Sequence, residues 1–273
     1  MPFFQTTKPL LADGAMGTQL IAQGLPVSTC FEALNLSDPK RIQAIHKSYL
    51  DAGAALIWTH TFGANHFRLA THGMETSMDE INKRAVDNAR LAGAEKIIGC
   101  LGPTGLNRAQ AEKIDHTDIF ATYRQQAQTL MDAGVNALVA ETFTTLAEAR
   151  LVLKAMKTTS LPIAITLSPK NDLMLSDGLS LITAFQILIS EGLNTIGINC
   201  TSPSVVLAAM QTLKPLTKSP FLAKPHTGSP NALISAKDFA EFGHALITAG
   251  ASIIGGCCGT TPNYIKMLKP FVT

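Results

Sequence analysis

Charge is scarce in this chain. Asp, Glu, Lys and Arg make up 15% of its 273 residues, and 22 basic against 20 acidic side chains leave a formal net charge of +2. So even a balance creates no long-range field that would steer nucleic acid or anionic lipid. No basic run with interleaved aromatics is present, which argues against nucleic-acid binding. No run of eighteen apolar residues exists to span a membrane. The opening Met1-Pro2-Phe3-Phe4-Gln5 lacks a basic segment followed by an apolar one, so no secretory signal is read. The expectation is a cytoplasmic protein with neither nucleic acid nor membrane among its partners. Cysteines are few and odd in number: Cys30, Cys100, Cys200, Cys257 and Cys258. That count argues against a disulfide scaffold and leaves thiols free for metal binding or chemistry.

Apolar residues, at 46%, supply a large core. Eight short apolar runs recur: Leu10 to Ala15, Ala55 to Phe62, Lys96 to Leu101, Ala137 to Phe143, Pro162 to Leu167, Thr195 to Cys200, Phe221 to Lys224 and Ser252 to Gly255. None alternates cleanly between apolar and polar, as expected of parallel strands buried on both faces. Between them lie helical patterns, including Ile42, Ile45, Tyr49 and Ala52; Ile81, Ala85, Val86, Ala89 and Ala92; and Phe120, Tyr123, Ala127, Leu130 and Met131. Ser37-Asp38-Pro39 and Thr260-Thr261-Pro262 read as helix starts, and glycines at 53, 93, 134, 192 and 250 as helix stops. The runs start about 35 residues apart, the size of a βα unit. Eight such units without a long linker imply one α/β domain over residues 1–273, a (β/α)₈ TIM barrel. A doubly wound sheet is the alternative, but Asp13-Gly14-Ala15-Met16-Gly17-Thr18 is not its phosphate-binding fingerprint.

In such barrels chemistry sits where the strands end. Cys200 closes the sixth run, while Cys257 and Cys258 follow the eighth in Gly255-Gly256-Cys257-Cys258-Gly259. Neighbouring residues on a strand point to opposite faces, so both cysteines can face one point only if the backbone leaves the strand there. Gly255, Gly256 and Gly259 are expected to supply that freedom. Three thiolates suit Zn²⁺ and leave a fourth tetrahedral position open, the arrangement of catalytic rather than structural zinc. A substrate thiol bound there would be ionised, which suits alkyl transfer to sulfur. The competing reading is inert, buried cysteine, and Cys30 and Cys100 are assigned to it.

The segment Gly255-Gly256-Cys257-Cys258-Gly259-Thr260-Thr261-Pro262 resembles the zinc-site signature of the homocysteine S-methyltransferase family. Leu11-Ala12-Asp13-Gly14-Ala15-Met16-Gly17-Thr18, Thr61-Phe62-Gly63-Ala64-Asn65, Leu101-Gly102-Pro103-Thr104, Glu141-Thr142-Phe143 and Asn199-Cys200 follow in family order. The resemblance implies zinc on Cys200, Cys257 and Cys258, with Asp13 and Glu141 holding the amino group of homocysteine. Backbone amides of Gly14, Ala15 and Met16 are candidates to receive its carboxylate. The implied reaction gives methionine, from a small donor such as S-methylmethionine or S-adenosylmethionine. Alternatives are a barrel served by a separate corrinoid or folate-linked partner, with homocysteine or another thiol as acceptor, and a non-enzymatic zinc-binding module. Trp58, His60 and His226 depart from the family pattern; asparagine is expected where His226 stands. A histidine engaged in ordinary hydrogen bonds is preferred there over a metal ligand.

Overall fold

A computed structural model describes residues 3–229 and 232–272. Met1 and Pro2, which head the N-terminal segment read above, and Thr273, the far limit of the domain, lie outside the described residues. The strands are β1 (Leu10–Leu11), β2 (Ile57–Trp58), β3 (Ile97–Leu101), β4 (Ala137–Phe143), β5 (Ile163–Leu167), β6 (Ile196–Asn199), β7 (Phe221–Lys224), β8 (Gly228–Ser229), β9 (Ala232–Leu233) and β10 (Ile253–Ile254). Eight of them form one sheet in the order β1-β10-β7-β6-β5-β4-β3-β2, with every neighbouring pair parallel. A parallel bridge between Ala12 and Leu56 joins the two edges, supported by Ala55 N–H donating to the Leu11 carbonyl at 2.8 Å. The sheet is therefore a closed (β/α)₈ ring. The remaining pair, β8 and β9, is an antiparallel hairpin beyond β7.

The side-chain period of two divides the core. Ile98 and Cys100 on β3, and Ala137 and Val139 on β4, point into the barrel and pack with Leu222 and Ile253. Their neighbours Ile97, Leu101, Leu138 and Ala140 face outward and join the helices in the larger cluster. Phe4, only 2% exposed, joins the inner group. Asp38 caps the helix Pro39–Asp51 by accepting from the Arg41 amide, as the Ser37-Asp38-Pro39 signal implied. Gly134 shows how the helices end: at φ 89° it takes the left-handed turn that leads into β4.

Some limits differ from the sequence reading. The first, second and eighth runs form strands of only two residues each, the first two adding the Ala12–Leu56 bridge, because the chain beyond them turns out of the ladder. Thr61 N–H, for example, donates back to the Thr59 carbonyl at 2.9 Å. The sixth strand stops at Asn199, and Cys200 lies past it. The buried stripe of the helix His116–Asp132 runs through Ile119, Tyr123, Ala127 and Leu130, so Phe120 and Met131 sit at its edge, half-buried. Among the described residues no helix is long and apolar enough to cross a membrane.

Close backbone approach makes Gly197 on β6 a sensitive position. A Cβ there would lie 2.4 Å from the Leu222 carbonyl oxygen and 2.8 Å from a Thr166 methyl carbon. Gly197→Ala is expected to cost about 1–3 kcal/mol through overpacking. A lowered urea midpoint with an unchanged denaturant slope would show it; an unshifted midpoint would mean that the strands yield freely.

Candidate metal and acceptor site

Cys200 is placed by an unusual turn. Its φ is 54°, left-handed for a residue with a Cβ, and Thr142 just after Glu141 has φ 69°. Such conformations cost roughly 1–3 kcal/mol each and persist only where neighbours enforce them. Asn199 is one enforcer. Its side-chain oxygen accepts from Thr142 N–H at 2.9 Å and Thr166 Oγ1 at 2.7 Å, while its amide donates to Thr142 Oγ1 at 2.7 Å. Cys200 N–H donates to the Lys224 carbonyl at 3.1 Å, tying the turn to β7.

Cys257 and Cys258 lie where the chain has left β10. Gly256 N–H donates to the Asp13 carbonyl, and Cys257 N–H to the Pro225 carbonyl, each at 2.9 Å. Thr260 Oγ1 donates to the Cys257 carbonyl at 2.7 Å and accepts from Ala15 N–H at 3.0 Å. Below them the Tyr49 hydroxyl reaches the carbonyls of Ala15 at 2.6 Å and Thr260 at 3.0 Å. Of the three glycines expected to supply backbone freedom, only Gly259 uses a positive φ, 82°. Gly255 and Gly256 serve close approach instead. A Cβ on Gly255 would lie 2.7 Å from the Asp13 carbonyl oxygen, and one on Gly256 would lie 2.3 Å from Thr260 Oγ1.

The three sulfurs converge. Cys200 Sγ and Cys258 Sγ are 3.7 Å apart, and all three Sγ atoms lie within 4.8 Å of one another. Sulfurs bound at about 2.3 Å to one tetrahedral ion stand about 3.8 Å apart, so the donor set fits zinc in number, type and spacing. Hydrogen bonds with Cys200 and then Cys257 draw the Cys258 thiol well below the usual range, while those with Cys200 and then Cys258 push Cys257 well above it.

Beside the sulfurs lies a buried ionic cluster. Asp13, 3% exposed, accepts from Trp58 N–H at 2.8 Å and from Lys224 Nζ at 3.2 Å. Glu141 Oε1 accepts from the Cys100 thiol at 3.3 Å. Its Oε2 lies 3.8 Å from Lys224 Nζ, is buried, and has no hydrogen-bond partner among the described residues. Lys224 Nζ also sits 4.0 Å from the centre of the Trp58 ring. Burial raises the Asp13 pKa to about 6 despite the Lys224 charge. Burial alone would lower the Lys224 pKa, but Asp13 and then Glu141 outweigh it and hold the ammonium charged.

Asp13, Gly14, Ala15, Met16, Glu141 and the three cysteines all line one cavity of about 530 Å³ at the barrel mouth. Of the three candidate amides, that of Ala15 is already bonded to Thr260. His60 lines the same cavity, with Nε2 bonded to the Phe31 carbonyl at 2.9 Å; burial lowers its pKa and keeps it neutral. His226 Nδ1 accepts from Gly228 N–H at 2.8 Å and so fixes the turn after β7. Cys30, half-buried, also lies on the cavity wall.

The family model described as Homocysteine S-methyltransferase matches residues 10–272. The chain belongs to that family. It is 27% identical over 290 residues to a methionine synthase of Mycobacterium leprae, covering 94% of this chain and 24% of the relative. The methionine synthase of Mycobacterium tuberculosis is 26% identical, again over 94% of this chain and 24% of the relative. The chain thus spans about a quarter of the length of these curated relatives. Among solved structures it is similar to the metallated form of the homocysteine methyltransferase MmuM from Escherichia coli, with a TM-score of 0.84 and 27% identity over 97% of this chain and 96% of that one. The apo form of MmuM superposes with a TM-score of 0.78 at 26% identity, each chain 98% covered.

Sequence reasoning did not single out Lys224, Asn199 or Thr260 for the site, and it set Cys100 aside as inert. The signal for Lys224 was available: a lysine that closes an otherwise apolar strand stands at the chemical end of a barrel.

The raised Asp13 pKa carries a sign. The folded state holds a proton that the unfolded chain has released, so this group's contribution to stability is complete below about pH 4 and is lost as pH rises through about 6. Relative to Asp13→Asn, the wild type is expected to lose up to about 3 kcal/mol across that interval. Parallel urea stabilities at pH 4 and pH 7 would contradict it.

Proposed function

We propose that this chain methylates the thiol of homocysteine, with Cys200, Cys257 and Cys258 as the ligands of one zinc ion. The observation that carries the reading is the convergence of three sulfurs from two separate strand ends beside the carboxylates of buried Asp13 and partly buried Glu141. Bound there, zinc would supply Lewis acidity that ionises a thiol near neutral pH. The chain's own residues do the rest. Glu141 Oε2, a buried acceptor with no donor among the described residues, offers the substrate's ammonium a charge-assisted hydrogen bond, and Asp13 adds negative charge beside it. Gly14 and Met16 line the same cavity, and their amides are the donors proposed for the substrate's carboxylate. Asn199, Thr260 and Tyr49 hold the cysteine turns, so the reacting groups meet without reorganisation.

In the reaction the acceptor sulfur forms a bond to the methyl carbon. The bond from that carbon to the donor breaks, and its electron pair stays with the donor. A sulfonium donor leaves as a neutral thioether, so this chain need supply no general acid. S-methylmethionine and S-adenosylmethionine are the donors of that class proposed here, and a cytoplasmic setting is part of the same reading. Since the methionine synthase relatives are about four times longer, a methylated corrinoid or folate partner is the second reading.

The test is methionine formation from homocysteine with each donor in turn, with zinc measured on the same samples. About one zinc per chain and turnover with a sulfonium alone are expected. Cys258→Ala should lose the metal and lower the rate at least about 100-fold while the far-ultraviolet dichroism stays native. Turnover only with an added methyl-carrying protein would favour the second reading. Unchanged activity in Cys258→Ala would defeat the metal assignment.

A further inference from the structure

The carboxylate pair assigned to the acceptor's amino group already faces an ammonium that belongs to the chain. Lys224 Nζ lies 3.2 Å from Asp13 Oδ1 and 3.8 Å from Glu141 Oε2. The lysine side chain is 4% exposed, and the Trp58 ring packs 4.0 Å from its charge. Both oxygens of Asp13 are committed, one to Lys224 and one to the Trp58 amide. The two carboxylates thus face one buried ammonium before any substrate is bound.

We propose that Lys224 is a resident counter-ion for the acceptor's amino subsite, and that it makes the substrate's α-amino group dispensable. The acceptor class then extends from homocysteine to mercapto acids that lack an amino group. This inference rests on the acceptor reading given above. A buried site built to bond a substrate N–H usually rejects the analogue lacking it by about 10,000-fold or more, because its own polar groups are left unpaired. Here Asp13 stays paired whatever thiol is bound. What an amino group adds is a donor to Glu141 Oε2, the single carboxylate oxygen of the pair without a hydrogen bond among the described residues. One hydrogen bond to a charged acceptor is worth roughly 10- to 100-fold in binding.

The experiment compares homocysteine with 4-mercaptobutanoate, its counterpart without the amino group, on the zinc-loaded protein with one donor throughout. In the wild type, kcat/KM is expected to favour homocysteine by roughly 10- to 100-fold. In Lys224→Met the preference should grow at least about tenfold. The change should fall in KM for 4-mercaptobutanoate rather than in kcat, because that complex now buries two carboxylates with no cation. A wild-type preference of about 10,000-fold or more would overturn the proposal, as would an unchanged preference in Lys224→Met. The wild-type ratio needs no variant, so it decides the matter even if Lys224→Met does not fold. Absence of turnover with homocysteine and every donor would instead count against the proposed function. The same two thiols, titrated into the zinc-loaded protein by calorimetry, would then supply the ratio.

Discussion

The close approach of residues 255–260 to residues 12–15 is the constraint from which the mouth of this barrel is built. Gly256 N–H meets the Asp13 carbonyl, and Gly255 leaves no room for a side chain against Ala12 and Asp13. Thr260 closes the same seam by bonding both Ala15 and Cys257, and Tyr49 clamps it from beneath. One contact region therefore fixes the position of Asp13 and aims the vicinal cysteines at Cys200. The thiol site and the carboxylate site are two sides of a single joint. A change that widens it by a methyl group disturbs both.

The second organising element is electrostatic. Three ionisable side chains that would each be costly in a dry interior, Asp13, Glu141 and Lys224, are held together on strand ends β1, β4 and β7 or just past them. Their sum is one negative charge, and the orphaned oxygen of Glu141 shows where a further donor fits. Asn199 links this region to the sulfurs, since its side chain holds Thr142, next to Glu141, while its backbone leads into Cys200.

Much of this architecture was legible in the sequence, for reasons that also explain what was not. The runs at 137–143 and 221–224 match β4 and β7 residue for residue, because each is apolar up to the mouth of the barrel, where Glu141 and Lys224 stand. The runs near residues 10, 55 and 252 overshoot, because burial continues past the strands into the loops at the mouth, polar residues such as Asp13, Thr59, His60 and Thr61 included. On the helix His116–Asp132 the reading found Tyr123, Ala127 and Leu130 of the buried stripe, while Phe120 and Met131 are apolar but sit at its margin. The cysteine trio stood out because strand ends are few and thiols there are rare. Lys224 did not, because lysine is ordinarily a surface residue and its partners lie 211 and 83 positions away.

The sheet order sets β10 between β1 and β7, so the strand made last is a stave in the middle of the closed wall. During synthesis the chain carries Asp13, Glu141 and Cys200 well before the vicinal pair at 257 and 258 leaves the ribosome. Until then the ring lacks one stave, and the inner faces of β1 and β7 have no neighbour to cover them. A metal held by Cys200, Cys257 and Cys258, as proposed above, would find its full set of ligands only once that last stave is in place. Its capture would then seal a barrel already assembled rather than start the assembly.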